Sequence, residues 1–158
     1  MILTEETIQK IRDTIPKYPE RRSCILPALT QAYWQVGHLN DDVYREVAET
    51  LELDVNYVAQ AASFYTMFPK KPVGKYLIQI CQNIACSLMG AESLIEYLKT
   101  KLNVELGDTT EDGLFTVVTV ECLGSCTTAP MMQINNDFYE NLTREKVDQI
   151  LDDLKKQG

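Results

Sequence analysis

Hydrophobic residues recur at intervals of three and four from Leu3 to about Phe68, the spacing that lines one face of an α-helix. Ile8, Ile11 and Ile15 come after Thr4, an N-cap residue trailed by two acids, and predict a first helix that Pro16 and Pro19 close. A second helix, roughly Arg21 to Val36, carries Ile25, Leu26, Leu29, Ala32, Tyr33 and Val36 on one face. Pro27 falls in or near its first turn, where an N–H has no helical partner to lose, and Gly37 is placed to end it. Asn40 predicts the start of a third helix burying Val43, Val47, Ala48 and Leu51, and Asp54 that of a fourth burying Val55, Val58, Ala59 and Ala62. The cluster Phe64-Tyr65-Thr66-Met67-Phe68 closes this unit, either sealing its seam with the C-terminal half or presenting a partner surface. The run PKKPVGK after it reads as a linker.

From Lys75 the period changes. Tyr76 to Ile80 is a short apolar run expected to form a buried strand with Cys81 at its end. Ser87 is placed to cap a helix from about Leu88 to Leu102, with Leu94, Ile95 and Leu98 facing inward. Leu114 to Val120, rich in β-branched residues, predicts a second strand that leads into Cys122. Met131–Ile134 and Phe138–Tyr139 flank Asn135-Asn136-Asp137, a hairpin turn. A last helix starts near Thr143, with Leu142 and Val147 as a hydrophobic staple and Val147, Ile150, Leu151 and Leu154 along one side. The chain is therefore expected to be α+β, with a four-helix bundle over residues 1–70 and a β-α-β-β-β-α unit over 74–158.

Composition narrows the class without naming a function. With 45% hydrophobic and 24% charged residues the chain has the make-up of a globular protein. Its net charge of -8 leaves no basic surface to neutralise phosphates, so nucleic acid is not an expected partner. No apolar run reaches the ~20 residues of a membrane span, which excludes direct membrane insertion by a helix. The opening MILTEETIQKIRD lacks a signal peptide's basic and apolar regions, so a cytoplasmic location is expected, where thiols stay reduced.

The chemistry lies in the cysteines. Four of the five form two pairs at strand tips, Cys81/Cys86 as C-x4-C and Cys122/Cys126 as C-x3-C. Four thiolates on two loops suit a [2Fe–2S] rhomb, whose two irons each need two further ligands. Gly124 lets the second loop curl close to an inorganic sulfide, and loop N–H groups can bond the sulfurs. Zinc, disulfides and a [4Fe–4S] cluster stay open on spacing alone. Cys24 is expected to be a small buried thiol, His38 an exposed cap residue, and Trp34 to pack at the edge of the helical unit.

The run from Cys81 to Ala91 (CQNIACSLMGA) resembles the first cluster motif of thioredoxin-like [2Fe–2S] ferredoxins, and Glu121 to Pro130 (ECLGSCTTAP) resembles the second. The resemblance covers most of the chain, including the Phe-Tyr-x-Met-Phe segment at 64–68. It implies a thioredoxin-like C-terminal domain in which Cys81, Cys86, Cys122 and Cys126 bind one [2Fe–2S] cluster. It also implies an electron-carrier subunit of an NADH-oxidising complex, docked on a larger flavoprotein subunit that binds FMN and NADH, and hence peripheral on the cytoplasmic face of a membrane through that complex. Related subunits serve NAD-linked or electron-bifurcating hydrogenases and formate dehydrogenases. The chain itself has neither G-x-G-x-x-G nor G-x-x-x-x-G-K-[ST], so both nucleotides are expected on the partner. In this fold Pro130 takes the place of the thioredoxin cis-proline, which predicts a cis Ala129–Pro130 bond.

Overall fold

Polar side chains fix where the N-terminal helices begin. Thr4 accepts a hydrogen bond from the Thr7 N–H and opens α1 (Glu5–Arg12), and Asn40 accepts from Val43 N–H and opens α3 (Asp41–Leu51). Asp54 does the same through Asn56 N–H for α4 (Val55–Phe64). Between them α2 (Ile25–Val36) ends at Gly37, whose φ of 77° puts it in the left-handed region where a Cβ would be strained. The computed structural model describes residues 2–157, and the chain divides into two compact units, one ending at Pro72 and the other starting at Val73. Ile11, Leu29, Ala32, Val43, Val47, Leu51, Val58 and Ala62 meet in the core of the first unit.

The first unit departs from the expected pattern in several places. Ile15 lies past α1, in a 3-10 turn (Ile15–Lys17), because Pro16 has no N–H to bond the Arg12 carbonyl and its ring would clash with it, so the α-helix stops at Arg12. Arg21–Cys24 is also a 3-10 turn, so α2 proper starts at Ile25. Val55 is exposed at the first position of α4, ahead of the Val58–Ala62 stripe. In the aromatic cluster only Phe68 is buried, edge-on to Tyr33 with centroids 6.0 Å apart, while Phe64 is 78% exposed. Trp34 does not pack at an edge: it lies off the Ala28–Ala32 stripe and is 72% exposed. His38 is half-buried, since the next residue, Leu39, is drawn into the core and donates its N–H to the Pro69 carbonyl at 2.7 Å. Cys24 is fully buried, as expected of a small thiol among apolar neighbours.

The second unit is built on a four-stranded sheet of order β2-β1-β3-β4. Its strands are β1 (Tyr76–Cys81), β2 (Phe115–Val120), β3 (Met132–Ile134) and β4 (Asp137–Tyr139). β1 and β2 run parallel, in register from Tyr76↔Phe115 to Cys81↔Val120, while β1–β3 and β3–β4 are antiparallel. Every residue of β1 is buried, as a central strand covered on both faces requires. The single helix expected over Leu88–Leu102 is two. A short α5 (Ile84–Leu88) is capped by Asn83, and Gly90, at φ 92°, turns the chain into α6 (Ala91–Leu102). Ser87 thus sits inside a helix and caps none, its hydroxyl donating to Glu92 at 3.1 Å. The last helix, α7 (Arg144–Lys156), is capped by Thr143, and Leu142 and Val147 are both buried as its staple. The shared core comprises Ile78, Ile80, Phe115, Val117, Met132, Leu98 and Leu151.

Gly74 enters β1 too tightly for any side chain. A Cβ there would lie 2.8 Å from the Leu114 carbonyl oxygen and 2.9 Å from its carbon, both backbone atoms that cannot swing away. Gly74→Ala is therefore expected to destabilise the unit by about 1–3 kcal/mol, the usual cost of overpacking. Urea unfolding followed by circular dichroism measures it, and an unchanged midpoint would contradict the tight approach.

Candidate metal centre

Because β1 and β2 are parallel neighbours, both cysteine loops leave the sheet at the same end. Cys81 is the last residue of β1, and its thiol donates to the Glu121 carbonyl oxygen at 3.3 Å, across to the loop after β2. Backbone bonds frame it: Cys81 N–H donates to Met131 O at 3.2 Å and Gln82 N–H to Val120 O at 3.0 Å. Cys86 is carried inward by α5, whose entry is fixed by the Asn83 side chain accepting Ile84 N–H at 2.7 Å. Cys81 and Cys86 are both buried and form a small cluster with Ala91, Ala129 and Met131, against which Leu123 packs.

The two buried thiols have different electrostatic settings. Burial pushes Cys81 up, but the N–H groups of Asn83 and Leu123 and the Cys86 thiol outweigh it, leaving Cys81 below the ordinary thiol range. Burial and the neighbouring Cys81 push Cys86 up, against one N–H bond from Met131. Of the two, Cys81 gives up its proton more readily to become the thiolate that binds metal.

The second loop is held differently. Cys122 and Cys126 are exposed, with Gly124 between them at φ 80° and Cys126 opening a 3-10 turn (Cys126–Thr128). The Glu140 carboxylate, just beyond β4, accepts hydrogen bonds from the Ser125 hydroxyl and from Thr128 Oγ1, the latter at 2.7 Å. These bonds, Ser125's first, hold Glu140 below the usual carboxylate range. Asn141 N–H donates to Thr128 O at 2.7 Å and Leu142 N–H to Pro130 O at 3.0 Å, and the Ala129–Pro130 bond is cis, as the fold implied. Sequence reading missed Glu140. Its only signal was a loop rich in hydroxyls, Ser125, Thr127 and Thr128.

All five cysteines are free, and Cys24 belongs to the core of the N-terminal unit. Among the described residues no three His, Cys, Asp or Glu side chains converge as a single-ion site would need. Four thiols in two loop-borne pairs, with N–H groups already bonded to sulfur, match what an iron–sulfur cluster takes from a protein. A cleft of about 390 Å³ lies along the first loop, lined by Gln82, Asn83, Ile84, Ser87, Leu88 and Glu121. The larger clefts of about 660 and 720 Å³ belong to the N-terminal unit and have no cysteine in their walls.

Comparison with known proteins points the same way. The family model described as "Thioredoxin-like [2Fe-2S] ferredoxin" matches residues 11–155. An NADH-quinone oxidoreductase subunit of Rhizobium meliloti is 42% identical over 147 residues, 93% of this chain and 88% of that one. NADH-quinone oxidoreductase subunit 2 of Thermus thermophilus is 38% identical over 148 residues, covering 92% and 82%. Among solved structures, the NAD+-reducing [NiFe]-hydrogenase in its H2-reduced state superposes with a TM-score of 0.72 at 25% identity. That match covers 85% of this chain but only 22% of the longer hydrogenase chain.

Proposed function

Since the chain belongs to the thioredoxin-like [2Fe–2S] ferredoxin family, we propose that it is the [2Fe–2S] electron-transfer subunit of an NADH-quinone oxidoreductase. The observation that carries this reading is the near full-length likeness to NADH-quinone oxidoreductase subunits, joined to two cysteine pairs brought to one sheet end by parallel strands. In it Cys81, Cys86, Cys122 and Cys126 hold the cluster, which when bound supplies a one-electron acceptor and donor. Cys81, framed by the Asn83 and Leu123 N–H groups, binds as thiolate with little reorganisation. Burial of Cys86, Ala129 and Met131 keeps water from that side, and Glu140 holds the other loop. NADH and FMN are bound by a partner flavoprotein subunit, with which electrons are exchanged. Among the described residues no helix is long and apolar enough to cross a membrane. In this reading the chain is peripheral, attached to the cytoplasmic face of a membrane through its complex.

A second reading, a subunit of an NAD-linked hydrogenase, is favoured by the structural match alone. Its 25% identity stands below the 42% of the quinone-linked relative.

Anaerobic purification, followed by iron, sulfide and zinc counts and visible spectroscopy, tests the core of this reading. About two irons and two sulfides per chain are expected, with charge-transfer bands that bleach on dithionite. One zinc and no colour after reconstitution would sink it. Co-purification of the tagged chain from its own cells, with the partners identified by mass, separates quinone-linked from hydrogenase complexes.

A further inference from the structure

Leu123 packs the start of the second cysteine loop against the buried cluster, but Cys122 and Cys126 are both exposed and Gly124 bends the loop through the left-handed region. One carboxylate gathers the Ser125–Thr128 end of the loop. Glu140 takes the hydroxyls of Ser125 and Thr128, themselves 3.0 Å apart, while the next two residues zip their N–H groups onto Thr128 and Pro130. The nearby cation, Lys146, hydrogen-bonds the Glu140 carbonyl oxygen at 2.6 Å and acts on the carboxylate only through space, so the carboxylate's hydrogen bonds go to the two hydroxyls.

We propose that Glu140 is a positioning residue for the second cysteine loop and lowers the reduction potential of the centre held there. The inference rests on the [2Fe–2S] reading above. Two effects act in one direction. A fixed negative charge beside the loop opposes the extra electron of the reduced centre. The Ser125 hydroxyl, lying between the two cysteines, spends its proton on Glu140 and has none for a sulfur, where a hydrogen bond would favour reduction. Removing the charge raises the potential, and removing the acceptor loosens the loop.

The experiment compares unaltered protein, Glu140→Gln and Glu140→Ala as full chains, reconstituted with iron and sulfide. EPR-monitored redox titration reads the potential, and loss of the visible bands under a chelator reads iron release. Gln keeps an acceptor oxygen, so full iron loading is expected. The reduced-to-oxidised ratio at a fixed potential is expected to rise about tenfold, equivalent to ~59 mV for one electron. Ala is expected to release iron several-fold faster than unaltered protein. A Gln variant with unchanged potential overturns the electrostatic half of the proposal, and an Ala variant with unchanged iron release overturns the positioning half. Unaltered protein that takes up no iron and sulfide overturns the ferredoxin reading and this inference with it, a result distinct from the other two.

Discussion

Cys81→Ser is expected to leave a colourless protein with no EPR signal on reduction and only a remnant of bound iron. Cys81 is fixed at the end of β1, paired with Val120 of β2 on one side and donating its N–H to Met131 O just ahead of β3 on the other, and it is only 4% exposed. Its surroundings are arranged for a thiolate. Burial opposes the charge, and the N–H groups of Asn83 and Leu123 with the Cys86 thiol overcome that opposition. Serine fits the space but stays protonated at neutral pH and offers iron a neutral hydroxyl in place of a soft anion. Cys24→Ser is the matching control. It lies in the other unit, so colour and signal are expected to survive while stability falls, because a hydroxyl replaces a thiol that is fully buried among apolar side chains. An unchanged EPR signal in Cys81→Ser would contradict its assignment as a ligand.

Ile78→Ala is expected to cost about 2–5 kcal/mol, a large share of the roughly 5–15 kcal/mol that holds a typical domain together. Ile78 is fully buried in the central strand and pairs with Val117 of β2 on one side and Ile134 of β3 on the other. No neighbour can collapse into the vacated space without shifting one of those ladders. Circular dichroism in urea is the right measurement, since Trp34, the only tryptophan, sits exposed in the other unit and reports poorly on this sheet. The substitution is also expected to weaken cluster retention, because the β1–β2 pair sets the spacing of the two cysteine loops. A loss below about 1 kcal/mol would mean that the sheet repacks around the gap.

Features set by near neighbours were legible in the chain itself. Thr4, Asn40, Asp54 and Thr143 cap the helices they were expected to cap, since an N-cap is decided by a side chain and an N–H two or three residues on. The strands leading to Cys81 and Cys122 were visible as apolar runs, and the family motif lay around the cysteines. The break at Gly90 was not read. Asn83 and Ser87 are both good caps, and only the packing of Cys86 into the interior selects the earlier one. Exposure of Trp34 and Val55 was likewise hidden, because a periodic pattern shows which face is apolar and not what covers each residue. Glu140 was invisible for a topological reason. It meets Ser125 only because the β3–β4 hairpin folds the chain back upon the loop.

The parallel pairing of β1 with β2 has a consequence for how the protein is made. An antiparallel hairpin closes on itself as it emerges, but two parallel strands wait for the whole crossover, here α5 and α6, before they meet. On a ribosome adding about 5–20 residues per second, Cys86 precedes Cys122 by roughly a few seconds. During that interval the nascent chain offers one cysteine pair, enough to snag a stray metal ion and too few to hold a cluster. Cluster delivery is therefore expected only once Cys126 has emerged and β2 has paired with β1, and starving cells of iron should accumulate a colourless subunit.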